Sequence, residues 1–212
     1  MAGQTEPVIT GQACLQEGAR WLCDHDPRFT QVMDEIEEIP LRLRPDGFAA
    51  LMFAIVGQQV STASAAAIWA RVEAAGMVTP EAVTAASAED LAALGLSRPK
   101  IRYAHALAGA GLDYATLRAA SSADVITTLT AVPGIGLWTA EIYALFALGR
   151  ADIFPAGDLA LQEAARVLFD LPERPKEKDL RQMAENWSPW RGVAARLLWA
   201  YYRIVKHREG IA

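Results

Sequence analysis

The stretch from Leu129 to Ala140, LTAVPGIGLWTA, decides how this chain is read. Two apolar helical patterns flank a Gly-Ile-Gly turn. Gly134 and Gly136 are free to take positive φ and to let another backbone come close. Ile135 between them is placed to point inward and lock the two helices together. The second helix would open with unpaired N–H groups and the positive end of its dipole outward, a phosphate site that needs no lysine. A bare Gly-x-Gly suits an ordinary helix C-cap and an apolar turn. The longer run Pro133-Gly134-Ile135-Gly136, followed by Thr139-Ala140, points to a hairpin built to grip a nucleic-acid backbone.

Working outward from the hairpin, the whole chain reads as helical. Its 212 residues are 52% hydrophobic and 21% charged, enough for one large or two small packed domains and unlike a disordered chain. Much of the apolar content is alanine, the best helix former, and Val/Ile alternation is scarce. Residues 10–38 form two helices broken near DHDPRF, with Pro27 in a first turn. The segment 48–76 gives two more with a joint near Gly57–Ser61, where Ser61 and Thr62 are candidate caps. Three short helices follow to residue 110, the last entered through Ser97 with Pro99 in its first turn. The hairpin pair comes next, its second helix apolar nearly all round and therefore buried. RADIFPAGD is a loop. Helices near 158–169 and 189–207, with another around EKDLRQMAEN, complete the pattern, with no strand.

No apolar run approaches the roughly 20 residues that span a bilayer, and MAGQTEPVITGQ lacks the features of a signal peptide. The expectation is a cytoplasmic protein. Cys14 and Cys23 cannot form a zinc or iron–sulfur site alone, and a reducing compartment argues against a disulfide. A net charge of −5 runs against a protein that tracks DNA by charge. The acidity is concentrated early, at Asp24, Asp26, Asp34, Glu35, Glu37, Glu38 and Asp46. Arg191, Arg196, Arg203, Lys206 and Arg208 make the other end basic. A small footprint gripping phosphate through backbone N–H groups is compatible with this balance.

Five segments together resemble the helix-hairpin-helix DNA glycosylases, most closely the DNA-3-methyladenine glycosylase II type. They are IVGQQVS at 55–61, LGLSRPKIRYAHALA at 94–108, VPGIGLWTAEIYAL at 132–145, DIFPAGDLAL at 152–161 and WSPWRGVAARLLW at 187–199. The resemblance covers roughly residues 47–205. It implies an all-α fold of two helical lobes, without the N-terminal β domain that some members carry. Residues 47–150 would form the hairpin-bearing lobe, and 1–46 with 151–212 the second. The lesion pocket would lie in a cleft, with Asp158 on one wall and Trp138 on the other. The implied function is base excision repair by a monomer acting on double-stranded DNA. An alkylated purine of the 3-methyladenine kind is flipped out and cut away hydrolytically, leaving an abasic site.

Asp158 precedes LALQEAARVLF and reads first as an N-cap. By resemblance it is also the catalytic carboxylate, which follows the hairpin at the distance at which Asp158 follows Trp138, 20 residues. The two readings are compatible, since a helix N-terminus favours an anion. Breaking an N-glycosidic bond leaves positive charge on the sugar, which a nearby anion stabilises. Asp152 falls too early in the loop. Relatives that also nick the strand carry a lysine where this chain has Trp138, and no lysine lies between Lys100 and Lys176, so a monofunctional enzyme is implied. Trp138 and Trp199 match pocket tryptophans that would stack on a cationic base; core packing is the alternative for each. Arg196 and Arg203 share the face of Trp199, which suggests a DNA-facing surface. Ile142 stands where the family has a pocket tyrosine.

Gln58 and Gln59 read either as buried amides with local partners or, by resemblance, as the DNA wedge, with Gln59 filling the gap left by the flipped nucleotide. Gly134, Ile135, Gly136 and Thr139 are the candidate contacts to the DNA backbone. Lys100 and Arg102 read as a solvated helix face, and Tyr143 as core. No cofactor is required, although family hairpins often hold sodium or potassium, here through the carbonyls of Thr130, Val132 and Ile135. The rival reading is a non-catalytic helix-hairpin-helix protein that binds DNA or senses damage. It would keep the glycines without needing Asp158, Trp138 and Trp199 together.

Overall fold

The computed structural model describes residues 6–208, apart from the side chains of Thr62, His207 and Arg208. The helices run in order: α1 Gln12–His25, α2 Arg28–Glu35, α3 Phe48–Gly57, α4 Thr62–Ala74, α5 Pro80–Ala85, α6 Ala88–Ala93, and α7 Arg98–Gly109. They continue as α8 Tyr114–Ala119, α9 Ser122–Thr130, α10 Leu137–Phe146, α11 Leu159–Leu168, α12 Glu177–Ala184 and α13 Arg191–Arg208. Among the described residues the only β feature is an isolated bridge between Val8 and Arg150. The fold is all-α, as its composition indicates. No described helix is long and apolar enough to cross a membrane. The chain divides into two compact units, residues 44–143 and residues 1–43 with 144–212.

In the unit 44–143, short helices are started by local chemistry. Ser61 accepts the Ser64 N–H at the head of α4; the side chain of Thr62 lies outside the described set. Thr79 caps α5 ahead of Pro80, and Ser87 with Asp90 forms a reciprocal capping box on α6. One helix was not anticipated. Asp113 Oδ1 accepts from the N–H groups of Ala115 and Thr116 and opens α8, a single capped turn and a half too short to show periodicity. Burial supplies the rest: Leu51, Met52 and Ile55 of α3 are fully enclosed, as are Val72, Val83, Leu91, Ala104 and Leu129. Within α10 the expectation of burial holds for Ala140 and Tyr143 but fails in the first turn, where Leu137 and Trp138 are 40% and 45% exposed.

The second unit is organised by α13. Val193, Ala194, Ala195, Leu197 and Leu198 are all fully buried, so this helix is the unit's axis. Gly18 lets α1 lie directly on it; a Cβ there would come within 2.7 Å of Val193 and of the Trp190 ring. Phe29, Phe154 and Phe169 surround Trp187 with centroid separations of 5.2–5.6 Å, an aromatic cluster that closes the unit's far side.

Candidate functional site

Asp158 sits immediately ahead of α11 and caps it. Its Oδ1 accepts the N–H groups of Ala160 at 2.9 Å and Leu161 at 3.2 Å. The same oxygen accepts the indole Nε1–H of Trp199 at 3.2 Å. The structure thus joins two residues 41 positions apart, the aspartate and one of the two tryptophans singled out from sequence. The Trp199 ring in turn lies 5.6 Å from that of Phe146. The cap expected of Asp158 is present, and the same carboxylate meets the N–H edge of an indole. Asp152 is otherwise engaged, bidentate with Arg191 at 2.7 and 2.8 Å and bonded to Ser188.

The hairpin joins α9 to α10. Gly134 has φ +93°, and a Cβ there would fall 2.2 Å from the ring of Tyr103, so both backbone conformation and packing demand glycine. Gly136 differs from expectation. Its φ is not positive, and a Cβ on it would meet nothing within 4 Å, so the fold itself does not require a glycine there. Ile135 is buried as expected, at 4% exposure. The first bond that closes α10 runs from Ala140 N–H to Gly136 C=O, which leaves the preceding N–H groups outside the helix ladder. Gly136, Leu137 and Trp138 are exposed, while Thr139 is buried.

Between α3 and α4 the two glutamines separate. Gln58 Nε2 donates to the Gly134 carbonyl at 2.9 Å, so its amide is committed to the hairpin. Gln59 is exposed and holds φ +54°, a left-handed conformation uncommon for a residue with a side chain. Of the two, Gln59 is the one presented outward.

Two charged side chains differ from their sequence reading. Lys100 is not on a solvated face. It is 7% exposed, and its Nζ donates to the Val56 carbonyl at 2.7 Å, near the C-terminal end of α3 where a cation is favoured. Burial lowers the pKa of this ammonium. Arg102 remains exposed as expected. Arg196 is not DNA-facing but 1% exposed. Its guanidinium donates to the carbonyls of Leu41, Gly192 and Leu145 and lies over the Phe146 ring at 4.8 Å. Burial presses its pKa down to about 10, so it stays charged at neutral pH. Arg191 is half-buried in its pair with Asp152. Of the basic end, Arg203 is exposed, and the side chain of Arg208 lies outside the described residues. Tyr143 is core, with its hydroxyl accepting the Gly47 N–H at 3.1 Å. Among the described residues no group of three or more His, Cys, Asp or Glu side chains could hold a metal.

Residues 52–189 match the model of the HhH-GPD superfamily base excision DNA repair proteins. An alkylbase DNA glycosidase-like protein of Schizosaccharomyces pombe is 30% identical over 137 residues, which are 62% of this chain and 63% of that one. The chain therefore spans a little under two thirds of that relative's length. The crystal structure of a DNA-3-methyladenine glycosidase from Bacillus halodurans superposes with a TM-score of 0.81 at 31% identity, covering 96% of this chain and 95% of that one. A 3-methyladenine DNA glycosylase of Schizosaccharomyces pombe, solved in complex with abasic DNA, gives a TM-score of 0.77 at 27% identity, over 86% and 95% of the two chains.

Proposed function

The chain belongs to the HhH-GPD superfamily of base excision DNA repair proteins, and we propose that it is a monofunctional DNA glycosylase releasing alkylated purines of the 3-methyladenine kind from duplex DNA. The observation that carries the proposal is the Asp158–Trp199 pair, an aspartate held at a helix N-terminus with the edge of a tryptophan against the same oxygen. A solved relative bound to abasic DNA supports the reaction class, because an abasic site is the product of base release.

In this reading the reaction is a hydrolysis. The C1′–N bond breaks and its electron pair leaves with the base. A water oxygen then bonds to C1′, and its proton is lost. Positive charge builds on the deoxyribose as the bond lengthens, and Asp158 stabilises that charge or steers the water. An alkylated purine carries ring charge, so it departs with little protonation and is drawn to electron-rich aromatic faces. Trp199, oriented by its bond to Asp158, supplies one such face, and the exposed Trp138 supplies another. The hairpin holds phosphate through the N–H groups around Gly136 and the start of α10, and Gln59 fills the space the flipped nucleotide vacates. With Trp138 where strand-nicking relatives carry lysine, no amine is placed to form a Schiff base with the sugar. A sodium or potassium ion at the hairpin would be held by the carbonyls of Thr130, Val132 and Ile135. The Val132 carbonyl accepts the Ile135 N–H at 3.0 Å and keeps a second lone pair for a cation.

The test is to incubate the protein with methylated duplex DNA and resolve the released bases by chromatography. Release of 3-methyladenine or a related alkylpurine is expected. DNA binding without base release would instead establish a non-catalytic, damage-sensing protein.

A further inference from the structure

Beside the loop between α3 and α4 lies a half-open surface pocket of about 440 Å³, lined by Gln58, Gln59, Val60, Ile68, Lys100 and Tyr103 among others. On that side the loop faces open space and gains little from side-chain packing. What fixes it is polar. Lys100 Nζ holds the Val56 carbonyl at 2.7 Å just before the loop. Gln58 Nε2 holds the Gly134 carbonyl at 2.9 Å within it. Ser61 caps α4 at its end, with Oγ 3.2 Å from the Ser64 N–H. Between these anchors stands Gln59 at φ +54°, a conformation that persists in a non-glycine residue only where its neighbours enforce it.

We propose that Gln58 and Lys100 are positioning residues that clamp this loop so that Gln59 is held ready to enter the duplex. The inference rests on the reading of Gln59 as the wedge. Neither positioning residue needs to touch DNA. Gln58 ties the wedge to Gly134 in the element that grips phosphate, so the wedge is set at a fixed offset from the hairpin. Lys100 anchors the end of α3 from which the loop departs. Preorganisation of this kind removes the ordering cost of a mobile glutamine at the moment of insertion.

The experiment uses the full chain and a duplex with a tetrahydrofuran abasic analogue opposite 2-aminopurine. No base is cut, so the readout is independent of glycosylase activity. A side chain entering the gap perturbs the stacking of 2-aminopurine and changes its emission. The wild-type protein should give a clear change at saturation, and Gln59→Ala should abolish it. Gln58→Ala and Lys100→Met should reduce the inserted fraction by about three- to tenfold, the effect of losing one hydrogen bond. Affinity for the duplex should stay within about threefold, because the hairpin's phosphate contacts carry binding. Thermal melting confirms that each variant is folded; if Lys100→Met unfolds, Gln58→Ala alone decides. A full emission change in folded Gln58→Ala overturns the proposal. So does an emission loss that merely tracks weaker binding, or a wild-type protein that gives no change. Failure of base release by the wild-type protein would overturn the glycosylase reading and leave this result standing.

Discussion

Replacing Asp158 with asparagine separates the charge from the cap. In the native protein Oδ1 receives the N–H groups of Ala160 and Leu161 and the indole of Trp199. An asparagine amide oxygen can receive the same three donors. Asparagine and aspartate are equally good N-caps, so the change should cost less than about 0.5 kcal/mol of stability. What disappears is the anion that the proposed reaction sets against the developing sugar cation. Loss of one such electrostatic group typically lowers the rate on the order of 100-fold or more, about 2.7 kcal/mol in the barrier. Asp158→Ala is the companion variant. It removes the acceptor altogether, which should cost about 0.5–2 kcal/mol for the cap and release the Trp199 edge as well. Base release from methylated duplex DNA gives the rates, and thermal or urea unfolding gives the stabilities. Both variants should be inactive, with only the alanine protein measurably destabilised. Near-normal turnover by Asp158→Asn would refute the catalytic assignment. Asparagine and alanine variants that lose stability equally would refute the cap argument.

The purified protein should release a base yet leave the strand intact until alkali is added, and borohydride should trap no covalent complex with damaged DNA; a trapped adduct would mean that an amine reaches the sugar. Trp138 is 45% exposed, so Trp138→Ala should change the melting temperature little while lowering release of cationic bases by roughly threefold to thirtyfold, the range of a stacked cation–π contact. Large destabilisation with unchanged base selectivity would return it to a packing role. Affinity for duplex DNA should depend shallowly on salt, with a slope equivalent to roughly two to four phosphates. Because a Cβ at Gly136 would meet nothing within 4 Å, Gly136→Lys should fold normally and still weaken binding at low salt; tighter binding would show that side-chain charge does the gripping.

How far the sequence revealed this molecule depended on whether the deciding interaction was local. Caps are local: Ser61 and Asp158 bond the first turns they precede, while Ser97 stands at the head of α7 without a side-chain cap bond. The hairpin was legible because Gly134, Ile135 and Gly136 lie together. The helix at Tyr114–Ala119 was missed because six residues cannot display an amphipathic period. Its signal was Asp113 with Thr116, whose hydroxyl bonds the aspartate at 2.6 Å, a pattern that marks a capped turn. Arg196 was misread by weighing its spacing from Trp199 alone. Its neighbours Val193, Ala194, Ala195, Leu197 and Leu198 leave no polar stripe on the first half of α13, and an arginine within that stretch is buried too. Lys100 carried no comparable trace. Its partner is a carbonyl 44 residues earlier, and backbone acceptors are anonymous in sequence. The Gln58–Gly134 bond was hidden for the same reason.

The proposed grip on DNA has to work for an acidic protein. The basic C-terminal segment looked like an auxiliary phosphate surface, yet its arginines are largely spent within their own unit. Arg191 is neutralised by Asp152. Arg196 is committed to three carbonyls. Arg203 is exposed, but it borders a hollow shared with Glu35, Glu37 and Glu38, whose charges oppose its field within a Debye length. In the hairpin unit Lys100 faces inward and Arg118 pairs with Asp46. Each cation withdrawn in this way is one that cannot displace a counterion from DNA. Arg98 and Arg102 stay exposed in that unit, and beside them the proposed route to phosphate is the backbone at Gly136 and the first turn of α10, where exposure and the helix dipole coincide. An overall charge of −5 is tolerable on these terms, because backbone donors act at contact distance and demand close approach more than long-range attraction.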